Sequence, residues 1–300
     1  MVAQTPVIPD AGRPVARRRP PGGGGRQAVR LLILVAILAV VLYPLFWMIG
    51  TSLKSQEEIV NNIGLLPREF TPGNFAEGWT NFDVSFGRFF VNSAMVSLLT
   101  VLGNAVSCLL AAYAFARLRF RLRGVWFAIM IGTLLLPQHV LTVPQYILFR
   151  KLDMVGGDWP YLPLVVPQFL ATEAFFVFLM VQFMRGIPRE LDEAAKIDGA
   201  SAYGIFRYVI VPLSRPALVT TAIFSFIWTW NEFFRQLVYI SDLDDYTVPV
   251  ALTLFIDSTS QSAVGPMFAM SLLSLLPVFL FFVAFQRMLV EGINTSGLKG

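Results

Sequence analysis

The chain has little charge and almost no metal-binding chemistry. It contains one cysteine and one histidine in 300 residues, so neither a disulfide framework nor a zinc site built on His and Cys ligands is expected. Charged residues make up 14%, against about a quarter in an ordinary soluble domain. No Walker A motif is present, which argues against a phosphate-cradling loop in this chain.

Long apolar runs are what the sequence does contain, since 56% of its residues are hydrophobic. A run of about 18 or more apolar residues is long enough to cross a hydrocarbon core as a helix. The sequence therefore predicts an all-α polytopic membrane protein. Its six transmembrane helices are predicted at roughly 30–50, 90–116, 125–147, 163–184, 215–238 and 266–288.

The remaining segments divide the chain into a tail, a membrane domain and a short end. Residues 1–29 are rich in Pro, Gly and Arg and lack hydrophobic periodicity, so we predict a disordered basic tail. The membrane domain is predicted at 30–288 and contains a long polar loop at 185–214. Residues 289–300 are expected to form a C-terminal tail.

The distribution of basic residues predicts the orientation in the membrane. The N-terminal tail, the loops after spans two and four, and the C-terminal end carry most of the Lys and Arg residues. By the positive-inside rule, both termini and the 185–214 loop should be cytoplasmic. An external loop is expected near 241–257, and its four aspartates agree with that side.

The polar loop itself has the signals of two short helices. Pro188 suits the first turn of a helix, and Gly199 suits a left-handed cap at the end of that helix. A second helix is expected over 201–210, with Pro212 as its stop. The loop is thus predicted to form a helix–turn–helix knob at the inner membrane surface.

The loop also contains the tripeptide Glu193-Ala194-Ala195, which is followed after three residues by Gly199, and Pro212 closes the pattern. This spacing resembles the EAA loop of bacterial ABC-importer permeases. Valines at 209 and 211 stand where the family has Ile and Leu. Other segments are similar to the carbohydrate-uptake, MalG-like group: Leu42 to Trp47 with Ser52-Leu53-Lys54, Asn92-Ser93, Trp230-Asn231-Glu232, and the Gly-rich end from Glu291 to Gly300, although Gly292 and Gly297 are one residue further apart than is usual there.

The resemblance implies a transport subunit in a bacterial inner membrane that is surrounded by lipid and does not hydrolyse ATP. Its expected partners are a second, MalF-like permease, an ABC ATPase dimer that carries ATP and Mg, an extracytoplasmic solute-binding protein and a sugar substrate. No cofactor, metal or nucleic acid is expected on this chain. The residues implied in coupling to the ATPase are Glu193, Ala194, Ala195, Asp198, Gly199 and Pro212.

Polar and aromatic residues in or near the spans are candidates for the solute path. Glu173 is expected near the middle of span four, where an ionisable residue is costly and is a functional candidate. A protonated Glu bonded to a neighbouring helix is the structural alternative. Near the outer end of span five we expect an outer gate, a docking surface for the binding protein, or ordinary interfacial aromatics, formed by Trp228, Trp230, Asn231 and Glu232. Further polar candidates are Asn92, Asn104, Gln138, His139, Gln145 and Gln168.

Two other classes of protein remain as alternatives. A self-contained secondary transporter or channel for a small polar solute would need intramembrane charges, for which Glu173 alone is thin support. An intramembrane enzyme would need paired carboxylates, a metal cluster or a nucleophile–base set, and the spans show none of these patterns. Within the importer class, another organic solute such as a phosphorylated polyol stays open.

Overall fold

A computed structural model describes the backbone of residues 24–257 and 263–296, and the side chains of 27–256 and 263–288. Every secondary-structure element among the described residues is a helix, and loops connect these helices. The helices are α1 Gly24–Ser52, α2 Gln56–Asn61, α3 Gly73–Thr80, α4 Phe86–Arg117, α5 Arg123–Thr133, α6 Gln138–Lys151, α7 Leu162–Val165, α8 Ala174–Arg185, α9 Glu190–Ile197, α10 Ala202–Ile205, α11 Val211–Leu213, α12 Arg215–Trp230, α13 Phe234–Tyr239, α14 Val248–Asp257 and α15 Val264–Ser296. Short 3₁₀ segments occupy Val166–Leu170 and Leu243–Asp245, and a π-helical turn occupies Phe206–Ile210.

Residues 1–47 and 48–300 form two separate compact units. In the first, α1 begins at Gly24, a few residues earlier than the predicted start of span one. The expected disordered tail otherwise falls on residues 1–23, which lie outside the described residues. At the other end of the chain, α15 extends to Ser296, so the predicted C-terminal tail begins as a continuation of the last helix.

The six predicted spans are present, although two of them are bent. Four stretches among the described residues are long and apolar enough to cross a membrane: Gln27–Ser52, Phe86–Arg117, Leu162–Arg185 and Val264–Met288. Two helix pairs also qualify when each is taken as one span: Arg123–Thr133 with Gln138–Lys151, bent by 104°, and Ala202–Leu213 with Arg215–Trp230, bent by 70°. Counting each pair once gives six spans, which confirms the predicted all-α membrane fold, although the last pair begins at Ala202, inside the predicted 185–214 loop, rather than at residue 215.

The prediction of a loop near 241–257 is wrong for its second half. Residues Val248–Asp257 form helix α14, and Val248, Val250 and Ala251 are buried in it. The sequence here is strongly apolar, and its hydrophobic side chains pack against α4 and α15. A run of ten residues is too short to span a bilayer, so it was not predicted as a membrane helix. The acidic residues before it favoured the loop interpretation.

Helix α4 is the centre of the second unit, because it contributes to all three hydrophobic clusters. Its C-terminal half packs on α8 through residues such as Cys108 and Ala112, and its first turn meets an aromatic group from α12 and α14. Its buried face is lined by small and polar residues, which permit close helix approach in a membrane: Asn92, Ser93, Ser97, Thr100, Gly103, Asn104 and Ser107.

Spans four and five are interrupted where the sequence predicted continuous helices. In span four, Val166–Leu170 is a 3₁₀ segment, and Ala171 then adopts a left-handed conformation with φ 55° before α8 begins. In span five, α12 ends at Trp230 and α13 starts at Phe234. Pro167 lies in the first break and Asn231 and Glu232 lie in the second, but proline and polar residues are also tolerated within continuous membrane helices, so the breaks were not predicted.

The broken part of span four lies very close to α4 at Gly103. A Cβ added there would lie 2.9 Å from Phe169 Cδ2 and 3.0 Å from the carbonyl carbon of Gln168. We therefore expect Gly103→Ala to destabilise the protein by about 1–3 kcal/mol, the usual cost of overpacking. The measurement is the melting temperature of the purified protein in detergent.

Gly132→Ala is the matched control for this substitution. Gly132 also lies in a helix, but a Cβ added there would have nothing within 4 Å. Its melting temperature should stay unchanged or rise, since Ala is favoured over Gly in a helix. Equal melting temperatures for the two variants would contradict the close approach of span four to α4.

Candidate functional site

Three interrupted spans meet at one cavity of about 590 Å³. The bend of span three supplies Gln138 and His139, the break of span four supplies Gln168 and Glu173, and the break of span five supplies the stretch 231–235. Helix α4 closes the cavity with Thr100 and Asn104. The other lining residues are Phe176, Ser225, Ile227, Trp228 and Thr229.

Side chains donate hydrogen bonds to backbone carbonyls at the breaks of spans four and five. Ser107 Oγ donates to the Gln168 carbonyl at 2.7 Å, and Asn231 Nδ2 donates to the Ile227 carbonyl at 2.7 Å. Gln236 Nε2 donates to the Thr229 carbonyl at 3.1 Å. In a bilayer such groups must be bonded within the protein, so these contacts hold the breaks open as fixed features.

Two buried polar atoms on the cavity residues lack a hydrogen-bond partner among the described residues. They are Gln168 Oε1 and Thr100 Oγ1, on side chains that are 4% exposed in both cases. Buried polar groups are normally hydrogen-bonded. A solute bearing hydroxyl groups would satisfy both, because a hydroxyl both donates and accepts.

The cavity also has a flat apolar wall. The Trp228 ring stacks on Phe176 with centroids 5.1 Å apart, and 46% of Trp228 is exposed. Trp230 lies on the opposite side of α12, since residues two apart on a helix are about 200° apart. It is buried among aromatic side chains, and its Nε1 donates to the Ser274 carbonyl at 3.1 Å. Only Trp228 of the two predicted tryptophans therefore faces the cavity.

The two glutamates of the predicted path differ in their partners. Glu173 lies at the break just before α8 rather than inside a regular helix, and no hydrogen bond or ion pair to its carboxylate is present among the described residues. Glu232 pairs with Arg235 through a contact of 3.1 Å between Oε2 and Nε. Glu173 thus offers a free carboxylate acceptor in the cavity.

The structure separates the other polar candidates into two groups. Asn104, Gln138, His139 and Gln168 join the cavity. Asn92 instead binds the carbonyls of Asp244 and Tyr246 at 2.9 and 3.0 Å, and Gln145 does not line the cavity. Asn104 Nδ2 also donates to Ser225 Oγ at 2.9 Å, which joins α4 to α12.

The helix–turn–helix predicted for residues 185–214 is present. Helix α9 is followed by Gly199 with φ +84°, and Ser201 Oγ accepts from the Gly204 N–H at 3.2 Å to cap the second helix. The second helix does not end at Ile210 as predicted. It continues through the π-helical turn into α11, so that Pro212 lies within the last turn before the 70° bend into α12.

The surface of this segment divides into an exposed face and a packed face. Glu193, Ala194, Asp198, Gly199 and Pro212 are exposed, as predicted for a contact surface, whereas Ala195 is half-buried and packs against the core of α4 and α8. Two large apolar side chains reinforce the exposed face: Ile197 is 87% exposed and Tyr203 is 68% exposed.

Residues that the sequence pattern did not single out attach the packed face to the membrane helices. Arg117, at the end of α4, lies 3.5 Å from Asp192 of α9. Tyr113 donates from its hydroxyl to the Ala202 carbonyl at 2.9 Å. Neither contact has a local sequence signal, because the partners are far apart along the chain.

Broken membrane helices around a polar cavity are an arrangement found in membrane transporters, and the chain is a transport subunit. It belongs to the family described as binding-protein-dependent transport system inner membrane component, which matches residues 103–294. This confirms the resemblance carried by the EAA-like pattern.

Individual relatives cover nearly the whole chain. The probable ABC transporter permease YurM of Bacillus subtilis is 30% identical over 88% of this chain and 85% of its own length. The trehalose/maltose transport permease MalG of Thermococcus litoralis is 31% identical over 90% of this chain and 96% of its own. A bacterial ABC transporter that imports alginate shares the fold, with a TM-score of 0.77, 20% identity, and coverage of 91% of this chain and 99% of that chain.

Proposed function

We propose that this permease imports a sugar or oligosaccharide, driven by a separate ATPase. The observation that carries the proposal is the composition of the cavity, where one aromatic face lies beside amide, hydroxyl and carboxylate groups. Sugars present flat apolar faces and many hydroxyl groups, so they fit such a wall. The relative named for trehalose/maltose transport supports the same class of solute.

Recognition would be shared among the three breaks. Trp228 and Phe176 would cover the apolar face of one sugar ring, and Gln168 and Thr100 would bond its hydroxyl groups. Glu173 would accept a further hydroxyl hydrogen. Because the breaks of spans four and five are held by hydrogen bonds, their groups are positioned before the solute arrives, which lowers the entropic cost of binding.

The 185–214 segment would be the contact with the ATPase. In this proposal both termini and this segment are cytoplasmic, as the positive-inside rule predicts, and the ATP and Mg are held by a partner ATPase dimer. A second, MalF-like permease and an extracytoplasmic binding protein complete the assembly. Closure of the ATPase dimer would move the segment and shift the permease pair between inward-open and outward-open states.

Co-purification tests the proposed assembly directly. The tagged chain is extracted gently from its native membrane, and the proteins that accompany it are identified by mass spectrometry. We expect an ATP-binding ATPase and a second permease, and a binding protein encoded with them can then be screened against sugars. A folded chain that emerges alone would overturn the proposal in favour of a self-contained secondary transporter.

Gly199 should be required for coupling because its backbone is left-handed. A β-branched side chain resists φ +84°, at a cost of about 1–2 kcal/mol, so Gly199→Val should reach the membrane but lose most uptake of the identified solute. Gly199→Asn is the matched variant, since Asn tolerates this conformation, and it should retain uptake. Normal uptake by Gly199→Val would contradict the role of the turn.

Glu173 should contribute to solute binding rather than to folding. Glu173→Gln removes the charge with little change in shape, so we expect unchanged membrane levels and an increase in the KM for uptake of about tenfold, the size of a lost hydrogen bond to a charged group. Glu77→Gln is the control, because Glu77 is exposed on α3 and lies outside the cavity. An unaltered KM in Glu173→Gln would contradict a role of Glu173 in solute binding.

A further inference from the structure

The side chain of Arg117 joins three helical elements at one point. Its Nη2 donates to the carbonyls of Met184 and Ile187, each at 2.8 Å, at the end of α8. Its Nη1 lies 3.5 Å from Asp192 Oδ2 on α9. The side chains of Arg117 and Asp192 are 4% and 13% exposed, so this contact is buried rather than a solvated surface pair.

Two of these three elements, α4 and α8, lead to the cavity. Along α4, Asn104 lies about 20 Å from Arg117 at a rise of 1.5 Å per residue, and it lines the cavity with Thr100. Along α8, the path from Met184 to Glu173 is about 17 Å by the same rise. A displacement of α9 that is transmitted to Arg117 therefore reaches two walls of the cavity.

The second half of the 185–214 segment is attached to the same two helices. Ile205 and Ile210 are buried in the cluster formed by α4 and α8, and the Tyr113 hydroxyl binds the Ala202 carbonyl. On the other side of the segment, Ile197 and Tyr203 remain exposed. The segment thus has one face fixed to the cavity helices and one face open to a partner.

The Arg117–Asp192 contact is better suited to fixing geometry than to adding stability. Arg117 Nε and Asp192 Oδ1 are buried without a hydrogen-bond partner among the described residues. An ion pair with such unsatisfied atoms gains little net free energy, because desolvation offsets the attraction. The planar guanidinium, however, fixes the directions of several contacts at once.

We propose that Arg117 is a positioning residue that locks α9 to α4 and α8, so that movement of the 185–214 segment moves both cavity helices together. This inference rests on the proposed coupling of the segment to an ATPase. Without the lock, the segment would still bind the partner through its exposed face, but part of its displacement would be lost between α9 and the two cavity helices.

The test compares Asp192→Asn with Glu190→Gln in the intact co-purified transporter. Both substitutions remove one carboxylate charge from the first turn of α9, but Glu190 is exposed and lies outside the contact. The readouts are the amount of ATPase recovered with the chain, its rate of ATP hydrolysis, and solute uptake per ATP hydrolysed. A purely structural role would lower recovery and leave uptake per ATP in the recovered complex unchanged.

We expect Asp192→Asn to keep ATPase recovery and hydrolysis but to lower uptake per ATP about tenfold, the scale of a disrupted coupling contact. Asp192→Glu should restore part of the loss, and Glu190→Gln should behave as the unsubstituted protein. Equal uptake per ATP in Asp192→Asn and Glu190→Gln would overturn the inference.

Arg117→Lys provides the second variant if Asp192→Asn does not reach the membrane. Lys keeps the charge but cannot hold both carbonyls and the carboxylate in one plane, so the same loss of uptake per ATP is expected. Arg119→Lys is its control, because Arg119 is exposed on the loop that follows α4. Failure of the proposed function would look different, since the unsubstituted chain would then recover no ATPase.

Discussion

A helix that is broken inside a membrane must satisfy its free backbone groups within the protein, and this constraint shapes the second unit of the chain. Spans three, four and five are each interrupted, and all three interruptions face the same cavity. Side chains donate hydrogen bonds to carbonyls at the breaks of spans four and five. Irregular backbone at membrane depth is tolerated where it lines a cavity, and the breaks in turn supply the polar groups that line this cavity.

Helix α4 makes this arrangement possible because it stays regular over 32 residues while its neighbours break. Small side chains at its middle let span four approach closely, as the lack of room at Gly103 shows. Its polar residues reach the cavity, and Arg117 at its end holds α8 and α9. One straight helix thus connects the exposed helix–turn–helix segment with the groups that are proposed to bind solute.

The sequence predicted the parts of this structure that have local causes. Apolar runs are long enough to reveal six spans, and the left-handed turn at Gly199 follows from the residue itself. The break in span four depends on a distant partner, Ser107, and the polar residues at the break in span five, such as Asn231, also occur within continuous membrane helices, so neither break was predicted. The same applies to Trp228 and Trp230, whose opposite directions depend on helix register, and to Arg117, whose three contacts come from other helices.

Cysteine accessibility in the co-purified transporter tests most directly whether solute passes through the cavity. Cys108, the one native cysteine, is buried, so an introduced cysteine can be labelled against a low background. The account predicts that Thr229→Cys in the cavity reacts with a polar thiol reagent more slowly when the transported sugar is bound, whereas the reaction of Thr80→Cys, at an exposed position of α3, does not change. Labelling at Thr229→Cys that ignores both the sugar and ATP would contradict a solute path through the three breaks.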